Sequence, residues 1–74
     1  MTIETIGNAI RQIRKAQRLT QSDLAMTANT APRFISDLEN GKPTCQIGKA
    51  LHVAACLGIK IHLTLPHSAQ DDKA

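Results

Sequence analysis

Arg11, Arg14, Lys15 and Arg18 fall within eight residues of one another. Cations clustered this closely attract polyanions, nucleic acid first among them, although the same spacing also suits an ordinary solvated helix face. Further along, Gln21, Arg33, Ser36, Asp37, Asn40 and Lys42 supply the donors and acceptors with which proteins contact phosphates and base edges. Groups suited to other chemistry are scattered. His52, His62 and His67 lie ten and five residues apart and are read as having no cysteine or carboxylate at ligand spacing, so no metal is expected. Ser22, Ser36 and Ser68 have no local nucleophile motif, phosphate-binding glycine motifs are missing, and no carboxylates are paired for acid and base work. Neither enzymatic activity nor a cofactor is expected.

The elements that must position these groups are short. Ile6, Ala9, Ile10, Ile13 and Gln17 recur at helical spacing with Asn8, Arg11, Gln12 and Lys15 between them, which predicts a first helix over 5–17 capped by Thr5 or Thr2. Thr20 stands three residues before Asp23, an acidic relative of the capping box, and opens a second helix to about residue 28 with Leu24, Ala25 and Ala28 inward. Asn29 suits the positive φ of a tight turn. Pro32 fixes its own φ and biases Ala31 toward the extended region, so Ala31 is placed as N-cap of a third helix, with Thr30 as an alternative source of the capping oxygen. Ile35 and Leu38 face inward, and Gly41 ends this helix ahead of Pro43. Thr44 is expected to cap a fourth helix whose stripe is Ile47, Ala50, Leu51, Ala54 and Leu57, ending at Gly58. The second and third helices are too short to persist alone in water.

After Gly58 the period changes. Ile59, Ile61, Leu63 and Leu65 alternate with Lys60, His62 and Thr64, and Pro66 closes the run, the pattern of a single strand with His62 on its polar side. A lone strand cannot satisfy its backbone groups. The simplest partner is the same strand of a second copy, paired antiparallel about a two-fold axis. That would hide four aliphatic side chains per chain, worth about 1.5 to 3 kcal/mol apiece if fully buried. The alternative is an edge segment packed on its own bundle. Residues 66–74 have the composition of a solvated tail. The expected organisation is a domain over 1–58, a dimerisation strand over 59–65 and a flexible tail over 66–74.

Composition bounds the size of the core and the setting. A chain of 74 residues makes one domain at most, and at this size a core seldom supplies more than about 3 to 5 kcal/mol, so self-association is expected. The net charge is +3. Asp71, Asp72 and Lys73 lie in the tail, which leaves eight bases against four acids in residues 1–65. Cys45 and Cys56 are read as reduced thiols acting as small apolar fillers. The longest apolar run, Val53 to Leu57, is far too short for a membrane span, and a cytoplasmic location is expected.

Two short helices joined by a tight turn and packed on a basic first helix have the dimensions of a helix-turn-helix. The stretch LTQSDLAMTANTAPRFISDLENGK resembles the Cro and phage-repressor type (XRE) family, in which LTQ-x-x-LA, a turn and I-S-x-L-E-x-G-K recur. The resemblance runs from residue 5 to about residue 58. It implies a mainly α, compact four-helix lambda-repressor-like domain that binds DNA. More narrowly, ETIGNAIRQIRKAQRLTQSDLA, RFISDLENGKPT and the segment after LGIKI are similar to HipB-type antitoxins of the Y4mF group. These are dimeric repressors encoded beside a HipA-type kinase toxin, with C-terminal strands paired across the dimer.

Matched positions imply residue roles. Gln21 falls at a phosphate-binding place, and Ala31, Pro32, Arg33, Ser36 and Asp37 fall at base-reading places. A guanidinium such as that of Arg33 can bind guanine bidentately for about 1 to 3 kcal/mol of discrimination. Pro32 offers only apolar contact, for instance to a thymine methyl. Asp37 either accepts from cytosine N4 or repels phosphate. Asn40, Lys42 and Arg11 or Lys15 are placed on backbone phosphates, and Arg14 with Glu39 as a structural pair between the first and third helices. Phe34, the only aromatic, either touches the sugar-phosphate backbone or packs in the core or dimer. Three functions are expected to compete. The first is a HipB-like antitoxin that represses from a palindromic operator, with equivalent grooves about 34 Å apart or a multiple of that, and binds a HipA-like kinase. The others are a stand-alone phage-like or restriction-modification controller and an interaction module that only masks a partner enzyme.

Overall fold

The computed structural model describes residues 2–62. Four helices follow one another: α1 (Ile3–Ala16), α2 (Gln21–Thr27), α3 (Pro32–Glu39) and α4 (Ile47–Cys56). Among the described residues none is long and apolar enough to cross a membrane.

Local chemistry explains most of the helix starts. The Thr2 side chain caps α1 by accepting from the Thr5 N–H at 3.1 Å. At α2 the capping box is closed both ways: Thr20 Oγ1 accepts from the Asp23 N–H at 2.9 Å, and Asp23 Oδ2 accepts from the Thr20 N–H at 2.9 Å. Those bonds, the backbone one first, hold the Asp23 carboxyl below the usual carboxylate range. Ala31 is the N-cap of α3 with Pro32 in its first turn, and no side chain caps it, so Thr30 does not supply the oxygen. Thr44 does not cap α4. The chain makes a further turn after Gly41, with the Cys45 N–H donating to the Lys42 carbonyl at 3.1 Å, and Gln46 becomes the N-cap.

All four helices stop by one device. Arg18, Asn29, Gly41 and Gly58 have φ of 60°, 57°, 73° and 80°. Beyond each, a backbone N–H returns to the carbonyl five residues earlier: Leu19 to Arg14, Thr30 to Ala25, Lys42 to Asp37 and Ile59 to Ala54, at 2.9 to 3.0 Å. This is the Schellman arrangement, which satisfies orphan carbonyls and reverses the chain abruptly.

The core joins Ile6 and Ile10 of α1, Leu24, Ala25 and Ala28 around α2, Ile35 and Leu38 of α3, and Ala50, Val53, Ala54 and Leu57 around α4. The inward face of α1 is turned from the expected one. It buries Ile6, Gly7, Ile10 and Arg14, whereas Ile13 is 37% exposed and Gln17 lies at the surface, donating from Nε2 to the Leu57 carbonyl at 3.2 Å. Gly7 is the reason α1 and α3 meet so closely: a Cβ there would stand 1.8 Å from the Leu38 carbonyl oxygen. On α4, Val53 points inward while Ile47 and Leu51 are 54% and 41% exposed, correcting the expected stripe.

Ile59 and Ile61 are half-buried against the core, and no strand occurs among the described residues. The expected strand over 59–65 is therefore not formed within one chain over its described part. Leu63, Leu65 and the tail lie outside the described residues.

Candidate DNA-binding face

Glu39, at the C-terminal end of α3, ties three helices together. Its Oε2 accepts from Arg14 Nε at 2.6 Å, and its Oε1 accepts from Arg14 Nη2 at 3.0 Å and from Gln21 Nε2 at 3.1 Å. Arg14 Nη1 donates to the Leu19 carbonyl at 2.8 Å, so the same guanidinium also holds the turn that leads into α2. Both side chains are buried, 9% exposed for Arg14 and 3% for Glu39. Burial pushes the Glu39 carboxyl up, but hydrogen bonds from Arg14 and Gln21 and the charges of Arg14 and Arg11 outweigh it, and the net shift is down. The Arg14 guanidinium moves up, chiefly through its bond to Glu39, against the cost of its own burial. A bidentate, charge-assisted pair of this kind fixes orientation as well as distance.

The network holds α3 with one side free. Ala31, Pro32 and Arg33 at its start are exposed, Ser36 and Asp37 one turn on are half-buried, and Asn40 and Lys42 beyond its end are exposed. These residues therefore share the outer side and end of one helix, as the sequence positions require. Asp37 is not free: Lys42 Nζ stands 3.7 Å from its Oδ2. Arg11 and Lys15 are exposed on α1. Gln21, expected on a phosphate, has its amide nitrogen on Glu39 instead, which leaves its carbonyl oxygen and the N–H groups of the α2 start for any further contact. Phe34 packs half-buried against the core with Lys49 Nζ 5.7 Å from its ring centroid, a packing role rather than an open one. The bonds to Leu19 and Gln21, and the Asp37–Lys42 and Lys49–Phe34 contacts, are absent from the sequence reading, because each depends on how a turn folds the chain back on itself.

Among the described residues, no group of three or more His, Cys, Asp or Glu is placed to hold a metal ion. One expectation needs correcting, however. His52 and Cys56 are four residues apart on α4, with Nε2 and Sγ separated by 3.8 Å, so a cysteine does lie at ligand spacing to a histidine.

The sequence matches the helix-turn-helix family over residues 10–63. The HTH-type transcriptional regulator y4mF of Sinorhizobium fredii is 51% identical over 61 residues, which are 82% of this chain and 80% of that protein. The immunity repressor protein of Bacillus phage phi105 is 35% identical over 77% of this chain, and multiprotein-bridging factor 1 of Debaryomyces hansenii is 41% identical over 76%. Those matches span only 40% and 37% of the two proteins, so the segment shared with them is the domain alone. The chain belongs to the helix-turn-helix family, whose members bind DNA and are not enzymes.

Proposed function

Proceeding from that membership, we propose that the chain is a transcriptional repressor that reads a palindromic operator as a homodimer, and that it serves as a HipB-like antitoxin with a HipA-like kinase as protein partner. The observation that carries the DNA-binding part is the free outer side of α3, held at its far end by Glu39 to both α1 and α2. A helix presented in this way fits the major groove, about 12 Å wide, with its N-terminal residues at base edges. Arg33 is the base-reading residue, Ala31, Pro32 and Ser36 flank it, and Asp37 is restrained by Lys42. Asn40, Lys42 and Arg11 contact phosphates, as do the amides at the start of α2 beside Gln21.

Dimerisation is supported by an apolar groove of about 690 Å³ between the start of α1 and α4, lined by Ile3, Ile47, Leu51, Ala55, Ile59 and Ile61. Ile47 and Leu51 are exposed in one chain, and a second copy bringing its 59–65 segment would cover them. In this reading 1–58 is the DNA-binding domain, Ile59, Ile61, Leu63 and Leu65 form the dimerisation strand, 66–74 is a tail, and the protein works in the cytoplasm. The antitoxin role is supported by the sequence resemblance described above. The stand-alone alternative draws on the phage immunity repressor, whose likeness covers 77% of this chain.

The test is affinity purification of the tagged protein from its native host at its native level and at low salt, with identification of bound protein and DNA. Recovery of a kinase together with the chain's own promoter is expected. Promoter DNA without a protein partner would replace the antitoxin reading by the stand-alone repressor, and a protein partner without DNA would overturn the repressor reading.

A further inference from the structure

Lys49, in the first turn of α4, is exposed, and its Nζ lies 5.7 Å from the centroid of the Phe34 ring. Phe34 is in the first turn of α3, next to Arg33, and packs half-buried against the core, so its ring is a fixed platform. A cation over an aromatic face is attracted by the ring quadrupole, which restrains a lysine that would otherwise sweep through solvent. Lys49 also lines two clefts. One, of about 250 Å³, adjoins Asn29 and Thr30 in the turn that leads into α3, and the other, of about 220 Å³, adjoins Asp37, Lys42, Thr44 and Gln46. The side chain therefore lies along the flank of α3, between the turn before that helix and the residues after it. The two lysines of the second cleft differ in their pairing. Lys42 Nζ stands 3.7 Å from the Asp37 carboxylate, whereas Lys49 has no carboxylate within ion-pair distance among the described residues.

We propose that Lys49 binds a backbone phosphate on the α4 flank of α3, with the Phe34 ring as the residue that positions it. A helix seated in the major groove has a row of phosphates on each side, and an unpaired ammonium fixed beside its first turn faces one of them. The inference rests on the reading of α3 as the DNA-contacting helix and adds a contact outside the matched motif positions. Phosphates carry no sequence information, so Lys49 serves affinity and register and leaves the choice of bases to α3. Each phosphate neutralised adds about 0.9 to the slope of log affinity against log salt. Removing one such contact should make the loss of affinity between about 50 and 200 mM salt about 3.5-fold smaller.

The test measures the affinity of the full chain for a duplex of its own promoter and for a scrambled duplex over that salt range. Lys49→Gln should weaken both by a similar factor and lower the slope by about one, while Lys49→Arg, which keeps the charge and also stacks on a ring, should restore it. Lys60→Gln removes an equal charge from a different groove, lined with Thr5 and Ala9, and should leave the slope at the wild-type value. In a Phe34→Leu background, Lys49→Gln should weaken binding by a smaller factor than it does alone. Far-ultraviolet circular dichroism checks that each variant stays helical. A slope unchanged in Lys49→Gln, or lowered as much in Lys60→Gln, overturns the proposal, as does a wild type that binds neither duplex. An undiminished effect in the Phe34→Leu background overturns the positioning role of the ring. Equal wild-type affinity for the two duplexes refutes base reading instead, and the phosphate contact is then decided by the slope on either duplex.

Discussion

Replacing Glu39 with glutamine keeps the side-chain volume but removes the charge that the Arg14 guanidinium faces. With the two side chains 3% and 9% exposed, the guanidinium would be left almost dry and without a counter-charge. Breaking a buried pair from one side costs about 3 to 5 kcal/mol, against less than about 1 kcal/mol for an exposed one. An amide oxygen still accepts one bond, which argues for the low end, about 3 kcal/mol. At 4 to 8 °C per kcal/mol for a domain of this size, Tm should fall by about 12 °C or more. The chain has neither Trp nor Tyr, so the assay is thermal and urea unfolding followed by the helical circular dichroism signal. The double replacement Arg14→Met with Glu39→Leu removes both charges together with their desolvation cost, and should recover at least half of the loss. Recovery stops short of wild type because the Leu19 carbonyl and the Gln21 amide also lose their partners. A single substitution costing under about 1 kcal/mol, or a double variant losing the sum of the two singles, would refute the claim that this pair is buried and coupled.

Gly7→Ala should destabilise the domain by about 1 to 3 kcal/mol in the same melts. Alanine is the better helix former, but its Cβ would meet the Leu38 carbonyl at 1.8 Å, so a gain in stability would refute the close approach of α1 and α3. Arg18→Gly relieves a side chain held at φ 60° and should raise stability by up to about 1 kcal/mol; a loss of that size would mean the arginine side chain outweighs its backbone strain. Because Glu39 and Asp23 are both shifted down on folding, their contributions are complete above the ordinary carboxylate range and are lost as pH falls through the lowered values. Acid titration of Tm should show that loss, with the Glu39 part missing in Glu39→Gln; an equally steep acid limb in that variant would point to other carboxylates.

Much of the fold is legible in the sequence because it is written in local chemistry. The box from Thr20 to Asp23, the turn at Asn29, the Ala31–Pro32 start and the stops at Gly41 and Gly58 each rest on one or two residues whose conformational preferences act without tertiary help. The inward face of α1 is harder to read. It buries a glycine for close approach and an arginine for an ion pair, and a search for apolar periodicity sees neither. Ile47 and Leu51 look like core for the opposite reason: their apolar character belongs to an open groove between the start of α1 and α4. At the candidate face, Arg33 and its neighbours lie where their spacing puts them. The engagement of Gln21 by Glu39 becomes visible only once α2 and α3 are packed together. The i, i+4 spacing of His52 and Cys56 is present in the sequence, and the reading that no cysteine lies at ligand spacing to a histidine passes over it.

In the proposed function α3 reads DNA through Arg33 while the residues around it grip the backbone. The direct measurement is affinity for the chain's own promoter and for scrambled DNA over a range of salt, with wild type, Arg33→Ala and Lys42→Ala. Arg33→Ala should lose about 1 to 3 kcal/mol of preference for the promoter, with scrambled DNA much less affected. Lys42→Ala should weaken both about equally and lower the salt slope by about one. Wild-type preference retained in Arg33→Ala, on a domain that remains folded, would contradict base reading by Arg33.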